Sequence, residues 1–98
     1  MSQIAKYEMM VLLRQEFNDS ELKIWGLNYA KVLKKLNSCQ ISVISRGKRD
    51  LAYSIKGEEK SKFIQIDFLS VPKYLEEFVA DLKFDSNVLR FLILNKKN

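Results

Sequence analysis

The sequence predicts an α+β fold in which two helices cover one face of a four-stranded antiparallel sheet. Four stretches show the alternation or the apolar character of strands, and two others repeat apolar residues in steps of three and four, as helices do. Their order along the chain is strand, helix, strand, strand, helix, strand. This order is the ferredoxin-like βαββαβ pattern, and we expect it to form one domain over residues 1–98.

The first strand and the first helix are predicted from the opening third of the chain. Residues 4–13 are mostly apolar, which indicates a strand buried largely on both faces. Asn18 or Asp19 can cap the helix that follows, and Glu21, three residues after Asn18, resembles a capping box. We expect the helix to end just before Asn37, because asparagine tolerates the left-handed backbone of a helix stop. The apolar stripe of this helix consists of Leu22, Trp25, Tyr29, Val32, Leu33 and Leu36.

The remaining elements follow from alternation and from one proline. Residues 40–45 alternate apolar with polar, and residues 51–55 resume the alternation after a basic interruption. Residues 63–69 form the third strand. Pro72 suits the first turn of the second helix, and residues 88–94 form the last strand. The stripe of the second helix consists of Leu75, Phe78, Val79 and Leu82.

A basic segment, residues 46–53, lies at the middle of the chain. Gly47 allows a bulge in the strand, which would aim Arg46, Lys48 and Arg49 away from the sheet surface. Three cations on a bent strand suit a polyanion such as RNA phosphate. A solvated basic turn without a partner remains the alternative interpretation of the same charges.

The sheet face without helices is the second candidate surface. If Leu89, Phe91 and Ile93 face the helices, the open face carries apolar side chains around Arg90, and Phe63 falls on the same face of the third strand. An open face with an aromatic residue, apolar residues and cations favours docking of RNA or protein, although a longer loop could instead cover it as additional core. The outward set of the last strand is Val88, Arg90, Leu92 and Leu94.

The composition limits the function classes. The net charge of +5 favours acidic partners, nucleic acid first. The chain has no histidine and three scattered glycines, so neither a histidine-based catalytic or metal site nor a glycine-rich phosphate loop is expected, and no cofactor and no small-molecule substrate are predicted. The single cysteine, Cys39, is interpreted as a buried small hydrophobe in a reduced compartment. No apolar run is long enough to span a membrane.

Three segments of the chain carry a resemblance to a known family. They are Lys6-Tyr7-Glu8, Gly47-Lys48-Arg49 followed by Leu51-Ala52-Tyr53-Ser54-Ile55-Lys56, and Asn87-Val88-Leu89-Arg90. With these segments the chain resembles the bacterial and plastid small ribosomal subunit protein six family. This family has the ferredoxin-like fold inferred above, and the resemblance extends over nearly the whole chain. It implies a structural protein, not an enzyme, that binds the central domain of small-subunit ribosomal RNA together with small-subunit protein eighteen.

The resemblance also implies which residues contact RNA. Tyr53 lies in the central motif and is expected to be structural, and Asp50 stands where family members often carry another cation. The partner protein's extended arm would lie on the apolar half of the open sheet or along its edge. The protein is expected in the ribosome of a plastid (chloroplast) stroma, or alternatively in a bacterial cytoplasm. The implied RNA-binding residues are Lys6, Tyr7, Lys48, Arg49, Phe63 and Arg90, with Arg46, Lys96 and Lys97 as further phosphate contacts.

Two other classes share the predicted fold. A ferredoxin-like regulatory or ligand-binding module would act as a homodimer with a small-molecule pocket at a sheet-edge interface. An acylphosphatase-like enzyme would need an anion-cradling loop after the first strand, and residues 14–17 lack the glycines for it. Stable dimerisation without salt-dependent RNA binding would distinguish the regulatory module from the ribosomal protein.

Overall fold

A computed structural model describes residues 4–96 and has the predicted architecture. The sheet order is β2-β3-β1-β4 and all three strand pairs are antiparallel, so the two middle strands come from the first and third strands of the sequence. The ferredoxin-like fold class is therefore confirmed. The elements are β1 (Ala5–Arg14), α1 (Asp19–Lys35), β2 (Cys39–Ile55), β3 (Glu58–Ser70), α2 (Pro72–Phe84) and β4 (Val88–Lys96).

Helix α1 begins and ends where the sequence predicts. The Asn18 side-chain oxygen accepts a hydrogen bond from the Glu21 backbone N–H at 2.8 Å, and the Glu21 carboxylate accepts one from the Asn18 N–H at 2.9 Å. This is a complete capping box, which satisfies two of the free amides of the first turn. After the cap residue Leu36, Asn37 takes a φ of 64° and stops the helix.

The capping box gives a first testable prediction. Replacing Asn18 with alanine removes the oxygen that accepts from Glu21, so we expect the free energy of unfolding to fall by about 1 kcal/mol. Urea denaturation measures this loss. Serine at the same position keeps an acceptor and is the matched control, so an equal loss in both variants would contradict a capping role for Asn18.

The core lies between the two helices and one face of the sheet. Tyr7, Met9 and Val11 of β1 lie opposite Phe68, Ile66 and Ile64 of β3, and all six side chains are buried. The alternate residues of β1 are exposed or half-buried, so the prediction of a strand buried on both faces was wrong: the helices cover only one side. From the helices the core receives Leu22, Trp25, Leu33, Phe78 and Leu82.

A polar cluster ties α1 to the turn between α2 and β4. The Asp85 carboxylate accepts hydrogen bonds from Trp25 Nε1 at 3.0 Å, from the Tyr29 hydroxyl at 2.8 Å and from the Asn87 backbone N–H at 2.9 Å. Burial, and then the hydrogen bond and the negative charge of Asp85, raise the pKa of Tyr29 well above its ordinary value. Both aromatic residues belong to the predicted stripe, and the acceptor that satisfies them is 56 and 60 residues away in the chain.

Two irregularities in strand pairing shape the sheet. The register of β2 on β3 shifts between Ser45 and Gly47, where Gly47 has a φ of 83°, so the predicted bulge is confirmed. The register of β1 on β4 shifts between Leu12 and Leu13, which brings Val88 opposite Leu13 on the helix-covered face. Val88 is therefore 4% exposed and belongs to the core, contrary to its predicted place on the open face.

Cys39 also differs from its expectation. It is exposed rather than buried, because it lies on the edge strand β2 opposite Leu69, on the sheet face that the helices do not cover. Within residues 4–96, neither helix has the length and apolar character needed to cross a membrane.

Candidate nucleic-acid interface

The open face of the sheet consists of four rows of side chains that cross all strands. Cross-strand partners share a face, so the register assigns each row directly. One end of the face is basic and aromatic, the middle is apolar with two carboxylates, and the other end has two lysines. From the β2–β3 hairpin end, in the order β4, β1, β3, β2, the rows are Arg90, Leu12, Phe63, Gly47; Leu92, Met10, Gln65, Ile44; Leu94, Glu8, Asp67, Ser42; and Lys96, Lys6, Leu69, Cys39.

The hairpin end gathers the aromatic and cationic groups. The Arg90 guanidinium lies 5.6 Å from the centre of the Tyr53 ring, although β2 and β4 are opposite edges of the sheet. The long β2–β3 hairpin therefore folds across the end of the sheet, and Lys56 Nζ donates a hydrogen bond to the Val88 carbonyl oxygen at 3.3 Å. Tyr53 is 61% exposed, so the structural role expected for it would be a contact with Arg90 at the surface, and this role stays a prediction.

A small cavity on the open face joins three of the predicted RNA-binding residues. Arg46, Arg49 and Phe63 line it together with Met10 and Gln65, and its volume is about 220 Å³. The bulge at Gly47 places Arg49 beside Phe63, since Arg49 lies opposite Ser61, two residues before Phe63 on the same face of β3. Within residues 4–96, neither Arg49 nor Arg90 has a carboxylate at salt-bridge distance. Both guanidinium groups are thus available for phosphate.

A chain of polar contacts crosses the middle of the same face. Arg46 Nε and Nη2 donate to the Gln65 side-chain oxygen at 3.0 and 2.7 Å, and the Gln65 amide donates to Glu8 at 3.3 Å and to Asp67 at 3.1 Å. Lys96 Nζ completes the chain at 3.1 Å from Glu8. The expectation that the bulge aims Arg46 away from the sheet was wrong, because buried Gln65 draws its guanidinium across the surface. The two cations and two carboxylates leave this region without net charge.

Lys48 lies on the opposite face of the hairpin from Phe63. Its partner in register is Lys62, and Lys62 is also opposite Leu13, which faces the helices. Two lysines directly opposite each other repel, and an anion from solvent that contacts both ammonium groups would relieve this repulsion. The sequence analysis gave Lys62 no binding role, because only the register of β2 on β3 brings it beside Lys48.

The predicted RNA-binding residues therefore do not form one site. Tyr7 is 5% exposed and packs on Phe68 with ring centres 5.6 Å apart, so it belongs to the core, and its assignment to RNA was wrong. The physical reason is alternation: Lys6 and Glu8 face outward, so Tyr7 faces the helices. Lys6 and Lys96 share the row farthest from Arg90, about 20 Å away along the strands. Lys97 lies outside the described residues.

The described part of the chain has no cluster of three metal-ligating side chains. The arrangement offers two exposed guanidinium groups, an aromatic ring and an apolar middle. Such a surface can bind anionic or apolar partners, and none of its groups is arranged as a nucleophile with a base.

The fold and this open sheet face define a small ferredoxin-like α+β protein. The solved structure of 30S ribosomal protein S6 from Thermotoga maritima superimposes with a TM-score of 0.86 at 19% identity, covering 96% of this chain and 89% of that one. The C-terminal domain of the MgtC protein from Mycobacterium tuberculosis is more distant, with a TM-score of 0.54 at 18% identity over 95% of this chain and 88% of that domain. At these identities the likeness shows the fold alone.

The chain belongs to the ribosomal protein S6 family, whose model matches residues 6–95. It is 67% identical over 96 residues to small ribosomal subunit protein bS6c of Trieres chinensis, covering 98% of this chain and all of that protein. It is 58% identical to bS6c of Phaeodactylum tricornutum, with 96% of each chain covered. As a member of this family it is a structural protein of the small ribosomal subunit and not an enzyme, and the resemblance seen in the sequence is confirmed.

Proposed function

We propose that the chain, acting as a single ferredoxin-like domain, binds the central domain of small-subunit ribosomal RNA together with small-subunit protein eighteen. The observation that carries the proposal is the convergence of Arg49, Arg90 and Phe63 on the hairpin end of the open face, where Tyr53 stacks against Arg90. Guanidinium groups without a carboxylate partner, beside the exposed ring of Tyr53 and the half-buried ring of Phe63, suit phosphates and unstacked bases.

The division of the open face supports two different partners. At the hairpin end neither Arg49 nor Arg90 has a carboxylate at salt-bridge distance among the described residues, which favours RNA. In the next two rows the polar groups contact one another and leave no net charge to attract phosphate, whereas exposed Leu92 and Leu94 offer apolar area. An extended segment of a partner protein with apolar side chains suits this middle region. RNA at one end and the partner protein beside it would then share one continuous surface.

The proposed location is a plastid ribosome, in the stroma. The two relatives with identities of 67% and 58% are both named bS6c, the plastid-type name. A relative from Porphyra purpurea with the same name is 29% identical over 94% of this chain.

A gel-shift titration tests the proposed function. The probe is a central-domain fragment of small-subunit ribosomal RNA, titrated with this protein alone, with protein eighteen alone and with both, at two salt concentrations. We expect tight binding that needs both proteins and weakens at higher salt, because bound cations release counterions from RNA. The absence of any shift with folded protein in all mixtures would contradict the proposal and favour a regulatory module instead.

A further inference from the structure

The tip of the β2–β3 hairpin has little regular pairing of its own. In the described sheet the register of β2 on β3 shifts just before Ile55, where residues 51–54 of β2 face a single residue of β3. A bulge of this size interrupts the ladder of hydrogen bonds, so pairing with β3 does not fix the position of Tyr53 within it. Contacts outside the hairpin must hold this stretch in place.

Lys56 has a backbone conformation that lysine rarely adopts. Together with Gly57 it forms the two-residue turn between β2 and β3, and the two φ angles are 49° and 82°. Two positive φ angles are typical of a type I′ turn, whose first central position favours asparagine because most other side chains are strained there. The turn alone therefore does not favour lysine at this position, which points to a role for the side chain.

The Lys56 side chain reaches the start of β4. Its Nζ donates a hydrogen bond to the Val88 carbonyl oxygen at 3.3 Å, two residues before Arg90. The Arg90 guanidinium lies 5.6 Å from the ring centre of Tyr53, three residues before Lys56. Within residues 4–96, neither Lys56 nor Arg90 has a carboxylate at salt-bridge distance, so no ion pair competes for either group. The two contacts dock one stretch of the hairpin on one stretch of β4.

We propose that Lys56 is a positioning residue for RNA binding. By tying the turn to β4 it holds the Tyr53 ring against Arg90, and the ring orders the guanidinium before RNA arrives. An arginine that is already ordered loses less conformational entropy when it binds phosphate. The proposal rests on the proposed function, because Arg90 is one of its phosphate contacts, and it gives Lys56 itself no contact with RNA.

NMR spectra of the free protein test whether Lys56 holds the ring in place. Lys56→Asn suits the turn and should keep the melting temperature, but its side chain is too short to reach Val88. The Arg90 side-chain signals, which the Tyr53 ring shifts in the parent protein, should move towards their positions in Tyr53→Ala. Lys56→Arg keeps a cationic donor and should retain the parent positions. Unchanged Arg90 signals in Lys56→Asn would overturn the proposal.

RNA titrations with protein eighteen present test the consequence for binding. Lys56→Asn should lower the affinity about fivefold, and adding it to Tyr53→Ala should lower the affinity no further. The dependence on salt concentration should match that of the parent, because no phosphate contact is removed. Additive losses, or a weaker salt dependence, would show a direct phosphate contact of Lys56 and overturn the proposal. A parent chain that binds no RNA would contradict the proposed function, and the NMR comparison would still decide whether Lys56 holds Tyr53 on Arg90.

Discussion

Replacing Arg49 and Arg90 together with alanine is expected to weaken RNA binding by about 100-fold while the fold stays intact. Both side chains lie at the hairpin end of the open face without a carboxylate partner in the described residues. Each phosphate contact removed costs about one factor of ten, since a hydrogen bond to a charged group contributes about 1.5 kcal/mol or more. The titration with protein eighteen present at fixed concentration measures this loss.

The salt dependence identifies the cause of the loss. The slope of the logarithm of the binding constant against the logarithm of salt concentration should decrease by about 0.7 to 0.9 for each phosphate contact removed. Replacing both arginines with lysine keeps the charge and should retain most of this slope, although it removes the planar group that stacks on Tyr53.

A matched control separates a local site from the general effect of net charge. Lys23 and Lys31 are exposed on α1, on the side of the sheet opposite to the open face, and their joint replacement with alanine also removes two positive charges. This control should bind RNA nearly as tightly as the parent protein. If it loses as much affinity as the arginine variant, only net charge matters, and the assignment of Arg49 and Arg90 is wrong.

Replacing Asp85 with alanine is expected to lower the free energy of unfolding by about 3 kcal/mol. The change leaves Trp25 Nε1 and the Tyr29 hydroxyl without their acceptor in a partly buried region and frees the Asn87 N–H of the turn. A buried donor left without an acceptor costs roughly 1–3 kcal/mol. For a domain of this size the melting temperature should fall by about 15 °C, which thermal unfolding measures.

Two control variants distinguish the hydrogen bonds from the charge. Asp81 is exposed on α2, so Asp81→Ala removes the same charge and should change stability by less than about 0.5 kcal/mol. Asp85→Asn keeps one side-chain oxygen as an acceptor and should lie between the parent protein and the alanine variant. Equal stability of Asp85→Ala and Asp81→Ala would show that the cluster contributes little.

The raised pKa of Tyr29 adds a pH signature to the same cluster. In the folded protein the Tyr29 hydroxyl keeps its proton above pH 10, whereas in the unfolded chain it releases the proton near its ordinary pKa of 10.0. The unfolded state therefore binds fewer protons above pH 10, and the stabilisation that is fully present at lower pH is lost as the pH rises further. Tyr29→Phe should remove the part of the loss in the free energy of unfolding above pH 10 that comes from this hydroxyl.

The sequence by itself determined the class of fold and most of the element boundaries. The capping box at Asn18, the left-handed stop at Asn37 and the start of α2 at Pro72 are local features, in which a residue interacts with its neighbours in the chain. Alternation likewise placed Phe63 and Arg90 on the open face correctly, because side-chain direction along a strand has a period of two. The family followed from short motifs and was confirmed over residues 6–95.

Only the tertiary structure decided which of the predicted residues meet. The bulge opposite Leu12 and Leu13 moved Val88 into the core, and the two helices cover only the face of β1 that carries Tyr7. Gln65 drew Arg46 across the sheet, while the folded-back hairpin placed Tyr53 on Arg90. These contacts join residues far apart in sequence, and their geometry depends on strand register and hairpin curvature. A local pattern of residue types fixes neither of these, so the candidate interface was predicted only in part.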